Sequence, residues 1–274
     1  MTERTVLITG CSSGIGRATA EVFLAEGWTV YATSRDTDDI ADLAERGCRT
    51  ASLDVTVQDD VDRVAERIET EAGRLDCLVN NAGFGQYGPL EDVPVERLHA
   101  QFDVNVYGPH RLARGALPLM RERGEGTIVN VSSFYGHIAP PGCGAYAASK
   151  HALEATSDAL RAEVDEFGVD VVLVTPGIID TGAYDRVDAE LAGLDRTPAY
   201  DRLYDLLAEV VLAASSLSLA SEPREVATAI HDAAALEDPD ARYVVGAFGR
   251  TLVAARYLPD GLRDRLLRAV RRVA

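Results

Sequence analysis

Short apolar runs recur along this chain, and each leads into a longer segment whose apolar residues fall at helical spacing. Thr5–Ile8, Trp28–Thr33, Thr50–Leu53, Asp76–Asn80, Thr127–Val131 and Val169–Val174 read as strands, with Tyr243–Gly246 as a seventh. The run Val171-Val172-Leu173-Val174 is apolar on both faces, which suits a strand inside a sheet covered on both sides. Between the strands, 57–72 carries apolar residues at helical intervals, 94–123 is a long helical stretch with an expected break at Gly108-Pro109, and a helix runs from Tyr146 to about Gly168. Strands separated by helices of this length specify parallel pairing through right-handed crossovers. The expected fold class is α/β, a doubly wound parallel sheet of about seven strands with helices on both faces. The 274 residues suit one domain, and no linker, repeat or low-complexity stretch divides them. Residues 178–221 break the rhythm, being rich in Asp and Ala with room for one or two short helices.

Charge and cysteine usage narrow the function classes. Asp plus Glu number 44 against 27 Lys plus Arg, a formal net charge of −17, which argues against nucleic-acid binding through a broad basic face. Lys150 is the single lysine. An acidic surface with Arg in place of Lys fits a salt-rich cytoplasm, and a high-GC codon bias fits equally. The four cysteines, Cys11, Cys48, Cys77 and Cys143, form no C-x-x-C pair, so neither a zinc site nor a disulfide framework is expected. The apolar runs are too short for a membrane span and no secretion signal is read, so the expected location is the cytoplasm.

The first strand leads into Thr9-Gly10-Cys11-Ser12-Ser13-Gly14-Ile15-Gly16, with glycines spaced G-x-x-x-G-x-G. Glycines between a strand and a helix allow a tight turn and close approach of a diphosphate to backbone N–H groups at the helix start. At the end of the second strand, Ser34 and Arg35 stand where an acid would select NAD by binding the adenosine ribose. Arg35 can pair with a 2′-phosphate, so NADP(H) is favoured over NAD(H). The alternative is a solvated surface arginine, and Asp36 either repels the phosphate or caps the next turn.

Tyr146-Ala147-Ala148-Ser149-Lys150 puts Tyr and Lys four apart, on one face of a helix. A free phenol has a pKa near 10, too high for an efficient base at neutral pH, and a nearby ammonium favours the phenolate. Ser133, at the end of the fifth strand, reaches the same face if the sheet is parallel.

The ordered set of motifs from residue 5 to 181 resembles the short-chain dehydrogenase/reductase family, single-domain type, which carries a Rossmann-like fold. Thr9–Gly16 is similar to its cofactor loop, Asp54-Val55 to its adenine-side acid, and Asn80-Asn81-Ala82-Gly83 to its fourth-strand motif. Asn105 matches its catalytic asparagine, Ser133 lies thirteen residues before Tyr146 as its pattern requires, and Pro176-Gly177 with Thr181 matches its nicotinamide-side segment. The resemblance implies that Tyr146 is the general acid in reduction, that Lys150 lowers its pKa and holds the nicotinamide ribose, and that Ser133 orients the carbonyl. It implies that Asn105 holds a relay water, that backbone around Ile179 binds the carboxamide, and that Thr181 lies near the amide or diphosphate. The cofactor-binding set expected is then Gly10, Ser12, Ser13, Gly14, Ile15, Gly16, Ser34, Arg35, Asp54, Val55, Asn81, Ala82, Gly83, Tyr146, Lys150, Pro176, Gly177, Ile179 and Thr181. Val30–Arg35, Gly83-Phe84-Gly85 and Gly88-Pro89-Leu90 look like the hydroxysteroid and retinol dehydrogenase branch.

By the same resemblance, 178–221 corresponds to a substrate lid. Tyr184, Leu191, Leu194, Tyr200, Leu203, Tyr204 and Leu207 are candidates for one wall of an apolar pocket, the alternative being that they only pack the lid on the core. Phe134, Tyr135, Ile138 and Pro140 are candidates for the other wall, with Tyr87 closing it. Such a pocket suits a hydrophobic ketone, aldehyde or alcohol. His137 and His151 are read as bystanders. The Arg-rich amphipathic tail, 262–273, packs on the acidic body or on a second subunit, with membrane contact the less favoured use. A homodimer or homotetramer through the long helices is expected from resemblance. The leading expectation is an NADP(H)-dependent oxidoreductase, and the alternative is a cofactor-binding regulator without turnover.

Overall fold

A computed structural model of the chain describes residues 4–180, 183–216, 220–246 and 249–273. Seven strands, β1 (Thr5–Ile8), β2 (Thr29–Ser34), β3 (Arg49–Ser52), β4 (Cys77–Asn80), β5 (Gly126–Val131), β6 (Val169–Pro176) and β7 (Arg242–Val245), form one sheet in the order β3-β2-β1-β4-β5-β6-β7. Every neighbouring pair is parallel. The strand order reverses between β1 and β4, so the crevice beyond their C-terminal ends is the topological switch point of an open α/β sheet.

Alternation along the strands sorts the core onto two faces. Val6, Ile8, Val30, Ala32, Val79, Val129, Val172 and Val174 pack one face against α1 (Gly14–Ala25) and α9 (Pro223–Ala235) through Phe23, Val226 and Ile230. Leu7, Tyr31, Leu78, Ile128 and Val171 pack the other against α3 (Gln58–Ala72), α5 (Gly108–Arg123) and α6 (Gly144–Val164). Each such Val, Leu or Ile taken fully from water contributes about 1.5–3 kcal/mol, so the two layers together dominate the folding energy.

A buried polar chain crosses this core and fixes α6 to the sheet. Asn80 and Asn130 are register partners in β4 and β5, and Asn80 Nδ2 donates to Asn130 Oδ1 at 2.7 Å. Asn130 Nδ2 donates to Ser157 Oγ on α6 at 2.8 Å. An unmade hydrogen bond here would cost about 1–3 kcal/mol, so the two bonds hold α6 in one placement on the sheet.

The remaining helices are α2 (Ala41–Glu45), α4 (Val95–Phe102), α7 (Ala183–Ala192), α8 (Asp201–Ser216), α10 (Gly249–Ala254) and α11 (Asp260–Val273). The stretch 178–221 therefore supplies two helices, and its ends pair, with Ile179 bridged to Ser221 and Ser221 N donating to the Ile178 carbonyl at 3.0 Å. The break in the long helical stretch falls earlier than Gly108-Pro109, at a wide π-type turn over Asp103–Tyr107. Pro109 instead occupies the first turn of α5, where its missing N–H is not needed and its fixed φ favours the helix.

Candidate active site

A cleft of about 690 Å³ runs along the C-terminal ends of the strands. Its first part is a backbone cradle. Thr9 Oγ1 accepts from the N–H groups of Asn81 and Ala82, both at 3.0 Å, and Asn81 Nδ2 donates to the carbonyls of Thr9 and Gly10 at 2.8 and 3.1 Å. The loop after β1 is thus laced to the end of β4. Gly10 has φ +72°, and a Cβ there would lie 2.9 Å from the Ala82 Cα. A Cβ on Gly16 would strike the Gly10 carbonyl and the Asn81 amide. Only glycines permit this approach, and the N-terminus of α1 then presents its free N–H groups to the cleft.

The end of the cleft expected to take adenosine lies beside the C-terminal ends of β2 and β3. Ser34 and Arg35 line it, with the exposed Arg35 held through its carbonyl by Ser52 Oγ at 2.9 Å. Asp36 Oδ1 accepts from the N–H of Asp38 at 3.0 Å, and Asp36 is not among the residues that line the cleft. Asp54 Oδ1 accepts from Thr56 N and Thr56 Oγ1 at 2.9 and 2.7 Å, placing its carboxylate at the cleft wall.

The opposite end brings together Ser133, Tyr146 and Lys150. Ser133 caps the single 3₁₀ turn Phe134–Gly136, its Oγ accepting from Tyr135 N at 3.3 Å, so its own O–H points to other uses. Tyr146 and Lys150 stand one turn apart on α6, with Lys150 Nζ 5.8 Å from the Tyr146 ring centroid. Lys150 Nζ donates to the Val131 carbonyl at 2.8 Å. Burial pushes its pKa down from 10.5 to about 8, and the Glu154 carboxylate opposes that fall. The rings of Tyr87 and Tyr135 flank Tyr146 at centroid distances of 5.8 and 5.5 Å.

Of the residues expected from sequence, Gly16 and Asn105 are not among those that line this cleft. Gly16 packs beneath the loop, and Thr181 lies outside the described residues. Asn105, buried in the wide turn before α5, spends its amide on protein: Nδ2 donates to the Phe84 carbonyl at 2.9 Å and to Ser149 Oγ at 3.1 Å, and Oδ1 accepts from Phe84 N at 3.2 Å. It pins the loop after β4 to α6, and neighbouring Val104 lines the cleft instead. The other expected cofactor-binding residues all line it.

The walls differ from expectation. Phe134, Tyr135 and Tyr87 line the cleft, joined by Phe84, whereas Ile138 and Pro140 do not. Leu191, Leu194, Leu203, Tyr204 and Leu207 form a separate buried cluster with Cys143 and Val187, so they pack the 183–216 segment on the core. From that segment Val187 and Glu190 reach the cleft. The Tyr184 side chain lies outside the described residues. Among the described residues no group of His, Cys, Asp and Glu is arranged to hold a metal, and no helix is long and apolar enough to cross a membrane. All four cysteines are free and buried.

A parallel seven-stranded sheet with a glycine cradle at its switch point and a Ser–Tyr–Lys constellation at the far end defines a dinucleotide-dependent oxidoreductase. The short chain dehydrogenase family model matches residues 4–192, and the chain belongs to the short-chain dehydrogenase/reductase family. It is an NAD(P)-dependent oxidoreductase acting on CH–OH groups. It is 36% identical to an NADPH-dependent 3-dehydrocapnine reductase of Ornithobacterium rhinotracheale, over 96% of this chain and 95% of that protein. It is 35% identical to a 3-ketodihydrosphingosine reductase of Bacteroides thetaiotaomicron, over 98% of each. A short-chain dehydrogenase from Streptomyces avermitilis superposes with a TM-score of 0.83 at 35% identity, covering 97% of this chain and 95% of that one. Similar structures hold either cofactor. One from Burkholderia phymatum is in complex with NAD (TM-score 0.75, 29% identity, 88% of each chain). One from Burkholderia cenocepacia is in complex with NADP (TM-score 0.76, 26% identity, 97% of this chain and 98% of that one).

Proposed function

We propose that this chain is an NADP(H)-dependent reductase of a hydrophobic ketone or aldehyde, with Tyr146 as the general acid. The observation that carries the reading is the convergence of Ser133, Tyr146 and Lys150 at one end of the cleft, beside a wall built by Phe84, Tyr87, Phe134 and Tyr135. An aromatic wall next to a proton donor suits a carbonyl flanked by apolar carbon. The glycine cradle fits a dinucleotide diphosphate, because Gly10 and Gly16 let the loop close on β4 and bring the N–H groups at the start of α1 to the cleft. When bound, the cofactor supplies the hydride.

The residues supply position and a proton. The Ser133 O–H donates to the substrate oxygen and fixes the carbonyl plane. Tyr146 Oη passes its proton to that same oxygen as the carbonyl carbon is reduced, giving the alcohol and a phenolate. The Lys150 ammonium stabilises the phenolate and is itself oriented by the Val131 carbonyl. Asn105 keeps the Phe84 loop and α6 in register. The segment 178–221 acts as the lid over the substrate end, with Val187 and Glu190 as its cleft-facing residues. Arg35 reads the 2′-phosphate, its exposed guanidinium being available at the cleft wall while Asp36 does not line the cleft. Two full-length relatives named as reductases, one NADPH-dependent and the other acting on a 3-keto compound, support the same direction and substrate type.

The test follows absorbance of NADPH and NADH side by side over long-chain 3-keto, steroid-like and simple aromatic carbonyls, with Tyr146→Phe as control. Turnover faster with NADPH and lost in the variant is expected. Undiminished turnover in Tyr146→Phe would refute the mechanism, and faster turnover with NADH would refute the role of Arg35. Cofactor binding without turnover in either direction would instead favour a regulator.

A further inference from the structure

A chain of charged side chains lies behind α6, buried at Glu154 and His137 and partly exposed at Arg242, Arg161 and Asp158, and none of its members lines the cleft. Glu154 stands one helical turn beyond Lys150, on the same face, and its side chain is 6% exposed. Arg242 from β7 donates through Nε to Glu154 Oε2 at 3.1 Å, and its Nη2 meets both oxygens of Asp158 at 2.7 Å. Arg161 also donates to Asp158, at 2.8 Å. The other Glu154 oxygen, Oε1, faces Nε2 of His137 at 3.5 Å, and neither atom has a hydrogen-bond partner among the described residues. His137 closes the turn that begins at Ser133, through its N–H to the Phe134 carbonyl at 3.0 Å. On its far side Arg256 Nη1 lies 3.5 Å from His137 Nδ1.

Glu154 therefore touches the three elements that hold the site: the Ser133 turn, the helix of Tyr146 and Lys150, and the edge strand. Burial holds His137 below its ordinary pKa despite Glu154, and Arg256 and Arg242 push it the same way, so the imidazole meets Glu154 uncharged. Arg242 divides itself between Glu154 and Asp158. Lys150 lies one helical turn before Glu154 on the same face of α6, a buried ammonium that donates to the Val131 carbonyl and has no ion-pair partner within 4 Å among the described residues. A buried ammonium without a counter-charge gives up its proton.

We propose that Glu154 is a positioning residue that supplies the counter-charge of Lys150 and locks the Ser133 turn against α6, with Arg242 and His137 holding it in place. The consequence for catalysis rests on the roles of Tyr146 and Lys150 given above, but the measurement does not. Because Lys150 is the single lysine, protein grown with lysine carbon-13-labelled at Cε gives one lysine resonance, whose titration reports Lys150 alone. In Glu154→Gln its midpoint should fall by about one pH unit or more, and the high-pH limb of reductive kcat should fall with it. Glu154→Asp, which keeps the charge, should restore most of the shift. Should Glu154→Gln not fold, Arg242→Gln compared with Arg242→Gln/Glu154→Gln gives the same difference in a charge-balanced background.

An unmoved lysine midpoint, with only lower thermal stability or a uniform loss of kcat, would overturn the proposal and leave Glu154 a structural residue. A shifted midpoint in a protein whose Tyr146→Phe variant still turns over would uphold the counter-charge while refuting the mechanism.

Discussion

Lys150 burdens the fold that carries it, and the burden can be measured. Its pKa falls from 10.5 in an unfolded chain to about 8 in the folded one, a drop of roughly 2.5 units that corresponds to about 3 kcal/mol. The native state binds this proton less tightly than the unfolded state. The destabilisation is therefore fully present below pH 8, shrinks as pH rises from 8 to 10.5, and vanishes above it. Lys150→Met removes the charge and keeps an unbranched apolar stem of similar length. It also leaves the Val131 carbonyl without its 2.8 Å donor, a loss of about 1 kcal/mol. The cofactor-free variant should gain about 2 kcal/mol at neutral pH, and about 5 °C in melting temperature, while losing activity. At about pH 9.5 the removed penalty is only about 1 kcal/mol, so the gain should disappear. Urea unfolding of both proteins at the two pH values provides the assay, and titrations common to both cancel in the difference. A variant less stable than its parent at neutral pH, or a stability gap that does not change with pH, would refute the reasoning.

Three further outcomes follow from the geometry. Gly16→Ala should weaken NADPH binding by roughly tenfold or more, read by cofactor fluorescence, because its Cβ meets the Gly10 carbonyl and the Asn81 amide. Arg35→Asp should move the ratio of kcat/KM with NADPH to that with NADH toward NADH by about 10- to 100-fold, the worth of one charge-assisted bond to a phosphate. Asp92 accepts from Thr197 N at 3.1 Å, Thr197 Oγ1 at 2.6 Å and Tyr204 Oη at 2.7 Å, tying the 183–216 segment to the loop before α4. Burial raises its pKa, but these bonds outweigh burial and hold the carboxyl below the usual range, so the tie persists at neutral pH and is lost as pH falls through that lowered value. Asp92→Ala should raise the carbonyl KM roughly fivefold, leave kcat less affected, and speed hydrogen exchange over 183–216.

The parts legible in the sequence are those set by local pattern. The strands announced themselves because parallel strands buried on both faces need runs such as Val171–Val174, and every strand was placed within two residues of its observed ends. The cradle and the Ser133–Tyr146–Lys150 set were legible because fixed spacings on a strand–loop–helix frame bring them together. What escaped depends on side-chain direction or distant pairing. Asn105 was expected to hold a relay water, and nothing in the sequence signalled that the wide turn over Asp103–Tyr107 aims its amide at Phe84 and Ser149. The leucines of 191–207 were open between wall and packing, because periodicity shows an apolar face without showing what it meets. Glu154 and Arg242 are 88 residues apart, and no periodic signal links them. One clue was available: a carboxylate four residues beyond the single lysine, on a helix face that must be buried.

In the proposed mechanism, chemistry and selectivity reside on different elements of this molecule. Ser133, Tyr146 and Lys150 belong to β5's exit turn and to α6, which the Asn80–Asn130–Ser157 chain and the Glu154 cluster bind into the rigid core. The 183–216 segment packs on the body through an apolar cluster that takes in Cys143, Tyr87, Val93 and Tyr135. Its links to the body include Asp92, the partly exposed Arg97–Glu190 pair and the exposed Tyr200–Glu91 bond, and the exposed ones contribute little. Within the segment the cleft meets Val187 and Glu190, three residues apart on one face of α7. Substitutions on that face can therefore retune which carbonyl enters without moving the groups that transfer the proton. The charges behind α6, in turn, can adjust the proton's affinity without touching the substrate.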